Sequence, residues 1–226
     1  MSITKKIIKS FTIILTLCFL INTNTAFCSG MKSFVDPYDE RQIPIPNVDM
    51  NTLRWYEATF GIYKEAYNLN RGLKYLSAYN IYKEYNEGKL SKSSIEVLQN
   101  TLTRNLAMQW NVVDYETAML VLIDLVNSGL VNKSAWDFSR AMSNVETYYE
   151  AGYIEFDAAM KLSYLISGYI RETFNSWDEF NNSYLLGYYK WSNSTDREEI
   201  YKGMISNSVS NIFATLPWDM PLVEYK

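Results

Sequence analysis

Residues 176–191 read SWDEFNNSYLLGYYKW, and this stretch gives the clearest view of how the chain folds. Ser176 is followed three residues later by Glu179, the spacing at which a hydroxyl and a carboxylate satisfy free amides at the start of a helix. Aromatic residues then recur at helical spacing, at positions 177, 180, 184, 188 and 191. The stretch therefore predicts a helix over 177–191 with an aromatic buried face.

The same pattern extends along most of the chain. Residues 47–216, a stretch of 170, contain no proline, and apolar residues recur there at steps of three and four. Two further helix starts are predicted where a serine or threonine is followed three residues later by glutamate. These are Ser93 with Glu96 and Thr195 with Glu198. Helix ends are predicted at Gly88, Gly129 and Gly152. The sequence thus predicts an all-α fold.

We predict a compact bundle of about eight helices. Their expected ranges are roughly 50–67, 72–87, 94–109, 115–128, 134–150, 155–174, 177–191 and 196–214. Within them, residues 114–119 (DYETAM) and 155–160 (EFDAAM) match type for type at an offset of 41, and a Trp-Asp pair recurs at that offset. Two copies are fewer than a repeat array needs, which indicates a duplicated helical hairpin inside one bundle.

The amino terminus has the order of a secretory signal peptide. Three lysines precede an apolar run at residues 11–21, and small residues follow. The run is 11 residues long, whereas a spanning helix needs about 20. We expect cleavage after Cys28, a secreted or otherwise extracytoplasmic protein, and no stable membrane span in the mature chain. An uncleaved or lipidated amino terminus, which would tether the protein to a membrane, is the alternative.

Four segments are expected in the chain. Residues 1–28 form the signal peptide, and 29–48, with three prolines, form an extended lead-in. Residues 49–216 form the helical domain. Residues 217–226, with Pro217 and Pro221 on either side of Trp218, form an irregular tail expected to pack back onto the domain.

Composition excludes several kinds of chemistry. The chain has no His, which excludes Ser-His-Asp catalysis and zinc sites that use histidine. Cleavage after Cys28 would remove both cysteines and leave 18 basic against 25 acidic residues, a net charge of −7. Such a surface repels nucleic acid. We found no glycine-rich phosphate loop or calcium loop, and we expect no metal and no cofactor.

The stretch from Trp110 to Trp191 resembles the bacterial family known as domain of unknown function 1266. The residues that carry the resemblance are Trp110, Leu125, Gly129, Trp136, Asp137, Arg140, Ser176, Trp177, Glu179, Phe180, Gly187 and Trp191. The resemblance covers about 80 residues and implies no activity, ligand or catalytic residue, since the family has none established.

The candidate binding residues are the two Trp-Asp pairs and one arginine. They are Trp136, Asp137, Arg140, Trp177 and Asp178. Asp137 and Arg140 lie three residues apart on one predicted helix, where their side chains can meet. Either the pair ties a helix start to its neighbour, or Arg140 grips an anionic group that Asp137 orients. Because Trp-Asp recurs at 177–178 without the arginine, a role at the helix start is favoured.

The function that these observations favour is a binding or interaction module without catalysis. Its partner would be an unknown protein or an extracellular ligand. A hydrolase that uses two carboxylates on an extracellular carbohydrate is the alternative, with candidates among Glu146, Glu150, Glu155, Asp157, Asp178 and Glu179. A secreted effector that acts on another cell is a third possibility.

Overall fold

The part of the chain that the structure describes contains seven helices and no strand. The structure is a computed structural model, and it describes residues 48–69, 88–195, 197–203, 205, 213 and 216–226. The helices are α1 (Met50–Leu69), α2 (Lys92–Trp110), α3 (Tyr115–Asn132), α4 (Ala135–Glu150), α5 (Phe156–Thr173), α6 (Trp177–Ser192) and α7 (Glu198–Gly203). The all-α prediction is confirmed, and the expected number of about eight is close.

Helix α4 lies at the centre of the bundle. Twelve of its sixteen residues are buried, including five with polar or charged side chains that a peripheral helix would expose. It packs against α1, α3, α5 and α6, and less extensively against α2. A helix that is covered on all sides needs small residues where neighbours come close, and Ala135, Ser139 and Ala141 are fully buried in it.

The helix starts follow local side-chain chemistry. At the start of α4 the Ser134 hydroxyl accepts a hydrogen bond from the Asp137 amide, and at the start of α6 the Ser176 hydroxyl accepts one from the Glu179 amide. Asp114 and Thr117 form a reciprocal capping box at the start of α3. The predicted start at Ser176 is therefore confirmed.

Three of the predicted helix boundaries were wrong. Helix α2 is capped by Ser91 and not by Ser93, since the Ser91 hydroxyl accepts the Ser94 amide. Thr195 precedes α7, but its backbone carbonyl accepts the Glu198 amide, and the described part of that helix ends at Gly203. Gly129 does not end α3. It lies inside the helix, and Lys133 ends it with a left-handed φ of 50°.

Gly129 has a packing role in place of the expected terminal one. A Cβ atom at this position would lie 2.9–3.0 Å from three ring carbons of Phe138 on α4. The glycine thus lets α3 and α4 approach closely. Gly152, in contrast, takes a φ of 80° two residues after the end of α4, and Gly88 takes a φ of 71°, so both adopt the left-handed conformation expected of them.

The two copies of the sequence repeat are packed differently. Helices α3 and α4 pack closely on one another, whereas α5 and α6 each pack on α4 more extensively than on each other. The N-caps are also 42 residues apart, at Ser134 and Ser176, while the Trp-Asp pairs are 41 apart. The Trp-Asp pairs therefore occupy different positions in the first turns of α4 and α6.

The residues from Leu216 to Tyr225 lie against the helices without regular structure. The carbonyl of Trp218 accepts hydrogen bonds from Trp55 of α1, at 3.2 Å, and from Arg171 of α5, at 2.8 Å. The amide of Val223 donates to the Thr52 hydroxyl at 3.0 Å. This segment, which we call the tail, thus bridges the first and fifth helices.

Several predictions fall outside the described residues. These are the signal peptide at 1–28, nearly all of the lead-in at 29–48, the helix over 72–87 and much of the helix over 196–214. Among the helices that the structure does describe, none has the length and apolar character needed to span a membrane.

Candidate functional site

Asp137 and Arg140 meet at the junction of α3 and α4. Their side chains form an ion pair, and the Ser128 hydroxyl at the end of α3 donates to the second Asp137 oxygen at 2.7 Å. Asp137 does not cap α4 with its side chain, because Ser134 does so. Its carboxylate instead joins the last turn of α3 to the first turn of α4.

The Arg140 guanidinium lies between two indole rings. Its central carbon is 5.7 Å from the Trp110 ring centre and 5.3 Å from that of Trp136. Both distances allow a cation–π attraction, which is worth more when the cation is partly shielded from water. Since 17% of the Arg140 side chain is exposed, the guanidinium is held by its neighbours yet still reaches the surface.

Trp191 forms the outer wall of this cluster. Its ring centre lies 5.5 Å from that of Trp136 and 6.3 Å from that of Tyr188, yet 64% of the residue is exposed. We call Trp110, Trp136, Asp137, Arg140 and Trp191 the tryptophan–arginine cluster. Helix α6 approaches it through Gly187, where a Cβ atom would lie 2.4 Å from the Trp136 Cβ.

The interior of the cluster contains polar atoms without partners. Among the described residues, nothing accepts a hydrogen bond from Trp136 Nε1 or Arg140 Nε, and the Tyr184 hydroxyl has no partner either. The rings of Trp136 and Tyr184 are 5.2 Å apart, which places these atoms in one region. Buried donors are almost always paired in folded proteins, so this concentration marks an unusual place in the fold.

The second Trp-Asp pair lies at a different place and has a different environment. Trp177 is buried beside the tail, where its Nε1 donates to the Leu216 carbonyl at 2.8 Å and its ring packs against Trp55 and Trp218. Asp178 is exposed. The structure therefore brings Trp136, Asp137 and Arg140 together but separates them from Trp177 and Asp178.

A second cluster of charged residues joins α1 to α4. The Lys64 ammonium lies 3.0 Å from a Glu146 oxygen and 3.9 Å from a Glu150 oxygen, and it donates to the Thr147 hydroxyl at 3.1 Å. The three charged side chains are 15%, 11% and 6% exposed, in the order Lys64, Glu146, Glu150. We call them the buried charge cluster.

Burial changes the protonation of this cluster. It raises the pKa of Glu150 to about 8, with the Glu146 carboxylate acting in the same direction and the Lys64 ammonium opposing them. Burial also works against the charged form of Lys64, but the two carboxylates outweigh it and raise the pKa of the ammonium. Glu150 therefore holds its proton more tightly than an exposed carboxylate does, and the protonated form of Lys64 is favoured.

Glu146 also borders an apolar crevice between α1, α4 and α5. The crevice has a volume of about 40 Å³, and its walls include Tyr56, Phe60, Tyr149 and Phe156. That volume holds roughly one or two water-sized groups. Among the described residues, no three Cys, Asp or Glu side chains are grouped so that they could hold a metal ion.

The model of one protein family matches residues 40–218 of this chain, which include all seven helices. The chain belongs to the DUF1266 family. The description of this family is a protein of unknown function, so membership assigns no activity. Comparisons with curated proteins and with solved structures gave no match.

Two features of this DUF1266 domain were missed by reasoning from sequence. Trp191 was assigned only to a buried aromatic face, but it is exposed. Lys64 was not singled out, although Glu146 and Glu150 were. Like charges four residues apart repel on a helix, and this spacing on a largely apolar helix could have indicated a cation from another helix.

Proposed function

We propose that this protein is exported and binds an extracellular ligand without catalysing a reaction, with Trp191 as the main contact residue. The observation that supports this proposal is the exposed Trp191 indole packed on the buried Trp136 ring. An aromatic side chain held in place from behind loses little conformational freedom on binding. Flat apolar faces of sugar rings, or of aromatic and proline side chains, fit such a surface.

The surroundings of Trp191 also favour binding. Tryptophan and arginine are enriched among residues that dominate binding energy, and here Arg140 lies against Trp136, the ring on which the exposed Trp191 indole packs. A single exposed apolar residue is ordinary on protein surfaces, but Trp191 combines exposure with this support.

A matched pair of variants tests the role of Trp191. Leu186 lies on the same helix and is 60% exposed, close to the 64% of Trp191. Wild type, Trp191→Ala and Leu186→Ala are titrated calorimetrically with a panel of soluble cell-wall oligosaccharides and with proline-rich and aromatic-rich peptides. We expect at least one class to bind wild type and Leu186→Ala with similar affinity, and to bind Trp191→Ala at least tenfold more weakly. Equal affinities for all three proteins would refute the assignment.

Export has its own test. We expect the protein from its own cells to be found outside the cytoplasm, with an intact mass that corresponds to residues 29–226. A full-length mass, or a lipid adduct in the membrane fraction, would instead indicate a tethered protein.

A carboxylate-dependent hydrolase acting on carbohydrate is a second candidate. The observation that favours it is the pairing of Glu150, whose pKa is raised to about 8, with Glu146 beside an aromatic crevice. Lys64 lies within 4 Å of both carboxylates, and the crevice is too small for a sugar ring, which is why we favour binding. Release of reducing sugar by wild type, lost in Glu150→Gln, would reverse this preference.

A further inference from the structure

The helices bind the tail largely through its main-chain carbonyls. Arg171 of α5 donates to the Trp218 and Met220 carbonyls, at 2.8 and 2.6 Å. Trp55 of α1 also donates to the Trp218 carbonyl, at 3.2 Å, and an indole N–H of α6 donates to the Leu216 carbonyl at 2.8 Å. Side chains from three helices thus bind groups that every peptide chain carries.

The Trp218 side chain adds a contact that depends on sequence. Its ring centre lies 5.5 Å from that of Trp55, 4.8 Å from that of Trp177 and 6.1 Å from that of Phe180. We call these three rings, together with Arg171, the tail site. Main-chain hydrogen bonds combined with a pocket for a side chain are a general way in which proteins bind peptides. The tail is therefore bound to its own domain as a peptide ligand would be.

The tail site favours an occupied state. Trp55 is fully buried and Trp177 is 6% exposed while the tail is in place. Departure of the tail would expose these rings to water and remove the carbonyls that their N–H groups bind, and both changes cost free energy. A copy that loses its own tail therefore gains by binding another segment that supplies the same indole and carbonyls.

The tail itself can leave without the unfolding of a helix. It has no regular structure, and Leu216 is its only buried residue. We propose that the tail is exchanged between copies of this protein, so that the tail of one copy fills the tail site of another. A second copy supplies every contact that the resident tail makes, and exchange of an identical segment is a low-cost route to a dimer.

The tether between tail and domain sets the conditions for exchange. A tail joined to its own domain acts at an effective concentration on the order of millimolar, so dilute wild type should be a monomer. Exchange should become favourable where copies are crowded or where the internal contact is weakened. The proposal does not depend on the ligand of Trp191.

Complementary variants of the full chain test the exchange. Arg171→Gln weakens the tail site and keeps the tail, whereas Trp218→Ala keeps the site and weakens the tail. Because their mixture contains one intact tail and one intact site, native mass spectrometry should show a heterodimer that neither variant forms alone. Arg104→Gln, on the exposed face of α2, is the control. Its tail stays in its own site, so its mixture with Trp218→Ala should give at least tenfold less heterodimer.

A measurement on wild type does not depend on these variants. An unlabelled peptide with the sequence of residues 216–225 is added in excess to isotope-labelled wild type and followed by nuclear magnetic resonance. The peptide should displace the resident tail, so the Trp218 indole resonance of the protein should move toward its position in a free peptide. The same peptide with Trp218→Ala should leave this resonance unchanged. Equal effects of the two peptides, or a mixture of folded Arg171→Gln and Trp218→Ala without heterodimer, would overturn the proposal.

Discussion

Replacement of Gly187 by alanine tests the contact between α6 and α4. The added Cβ would lie 2.4 Å from the Trp136 Cβ and 3.2 Å from the Ser134 hydroxyl oxygen. Neither is the far end of a flexible side chain, so α6 must move outward. Overpacking of this kind costs about 1–3 kcal/mol, and removing a helical glycine returns about 0.5–1 kcal/mol. We expect a net loss of about 1–2 kcal/mol in the free energy of unfolding.

Gly168 is the matched control for this substitution. It lies inside α5, and a Cβ atom there would meet nothing within 4 Å. Gly168→Ala should therefore stabilise the protein by about 0.5–1 kcal/mol, through the helix effect alone. Urea unfolding gives both free energies, and near-ultraviolet circular dichroism reports the packing of Trp136. If Gly187→Ala proved as stabilising as Gly168→Ala, the close approach of α6 to Trp136 would be refuted.

Two further substitutions test the tail and the start of α3. Arg171→Gln removes hydrogen bonds to the Trp218 and Met220 carbonyls, at 2.8 and 2.6 Å, and a cation–π contact with Trp55; we expect a loss of about 2–3 kcal/mol and faster trimming of the tail by carboxypeptidase. Arg104→Gln, on the exposed face of α2, is the control, and it should change neither the free energy of unfolding nor the rate at which carboxypeptidase trims the tail. Asp114→Ala removes the capping box of α3 and should cost about 1 kcal/mol at neutral pH. Because hydrogen bonds from the Thr117 amide and hydroxyl lower the pKa of Asp114, the difference from wild type should shrink as the pH falls through that lowered pKa. Urea unfolding at pH 7 and at pH 3 measures this difference in the free energy of unfolding. If it were the same at both pH values, the assignment of Asp114 as the charged N-cap of α3 would be contradicted.

Features that depend on a few neighbouring residues could be predicted from the sequence. The cap at Ser176 was found because its partner, the Glu179 amide, is three residues away. The same rule failed at Ser93, which has Glu96 three residues later. The cap is made instead by Ser91, whose hydroxyl accepts a hydrogen bond from the amide of Ser94. Where two serines compete, spacing alone does not distinguish them.

Features that depend on contacts between distant helices could not be predicted. Gly129 fits a helix end by residue type, yet it is kept within α3 by the approach of Phe138. Lys64 joins Glu146 only because α1 packs on α4, which lies more than 80 residues later in the chain. The exposure of Trp191 likewise depends on where α6 lies against α4. In each case the tertiary arrangement sets the role of a residue whose type leaves several roles open.

The tail gives the chain a constraint on when folding can finish. The Trp55 indole donates a hydrogen bond to an acceptor 163 residues later in the chain, and the Thr52 hydroxyl accepts one from an amide 171 residues later. A polypeptide emerging from a ribosome, or through a membrane pore, makes its first helix long before these partners exist. Contacts so distant in sequence slow folding, and here they also postpone its last step until synthesis has passed residue 223. A nascent chain of this protein thus stays incompletely folded until residue 223 has been made.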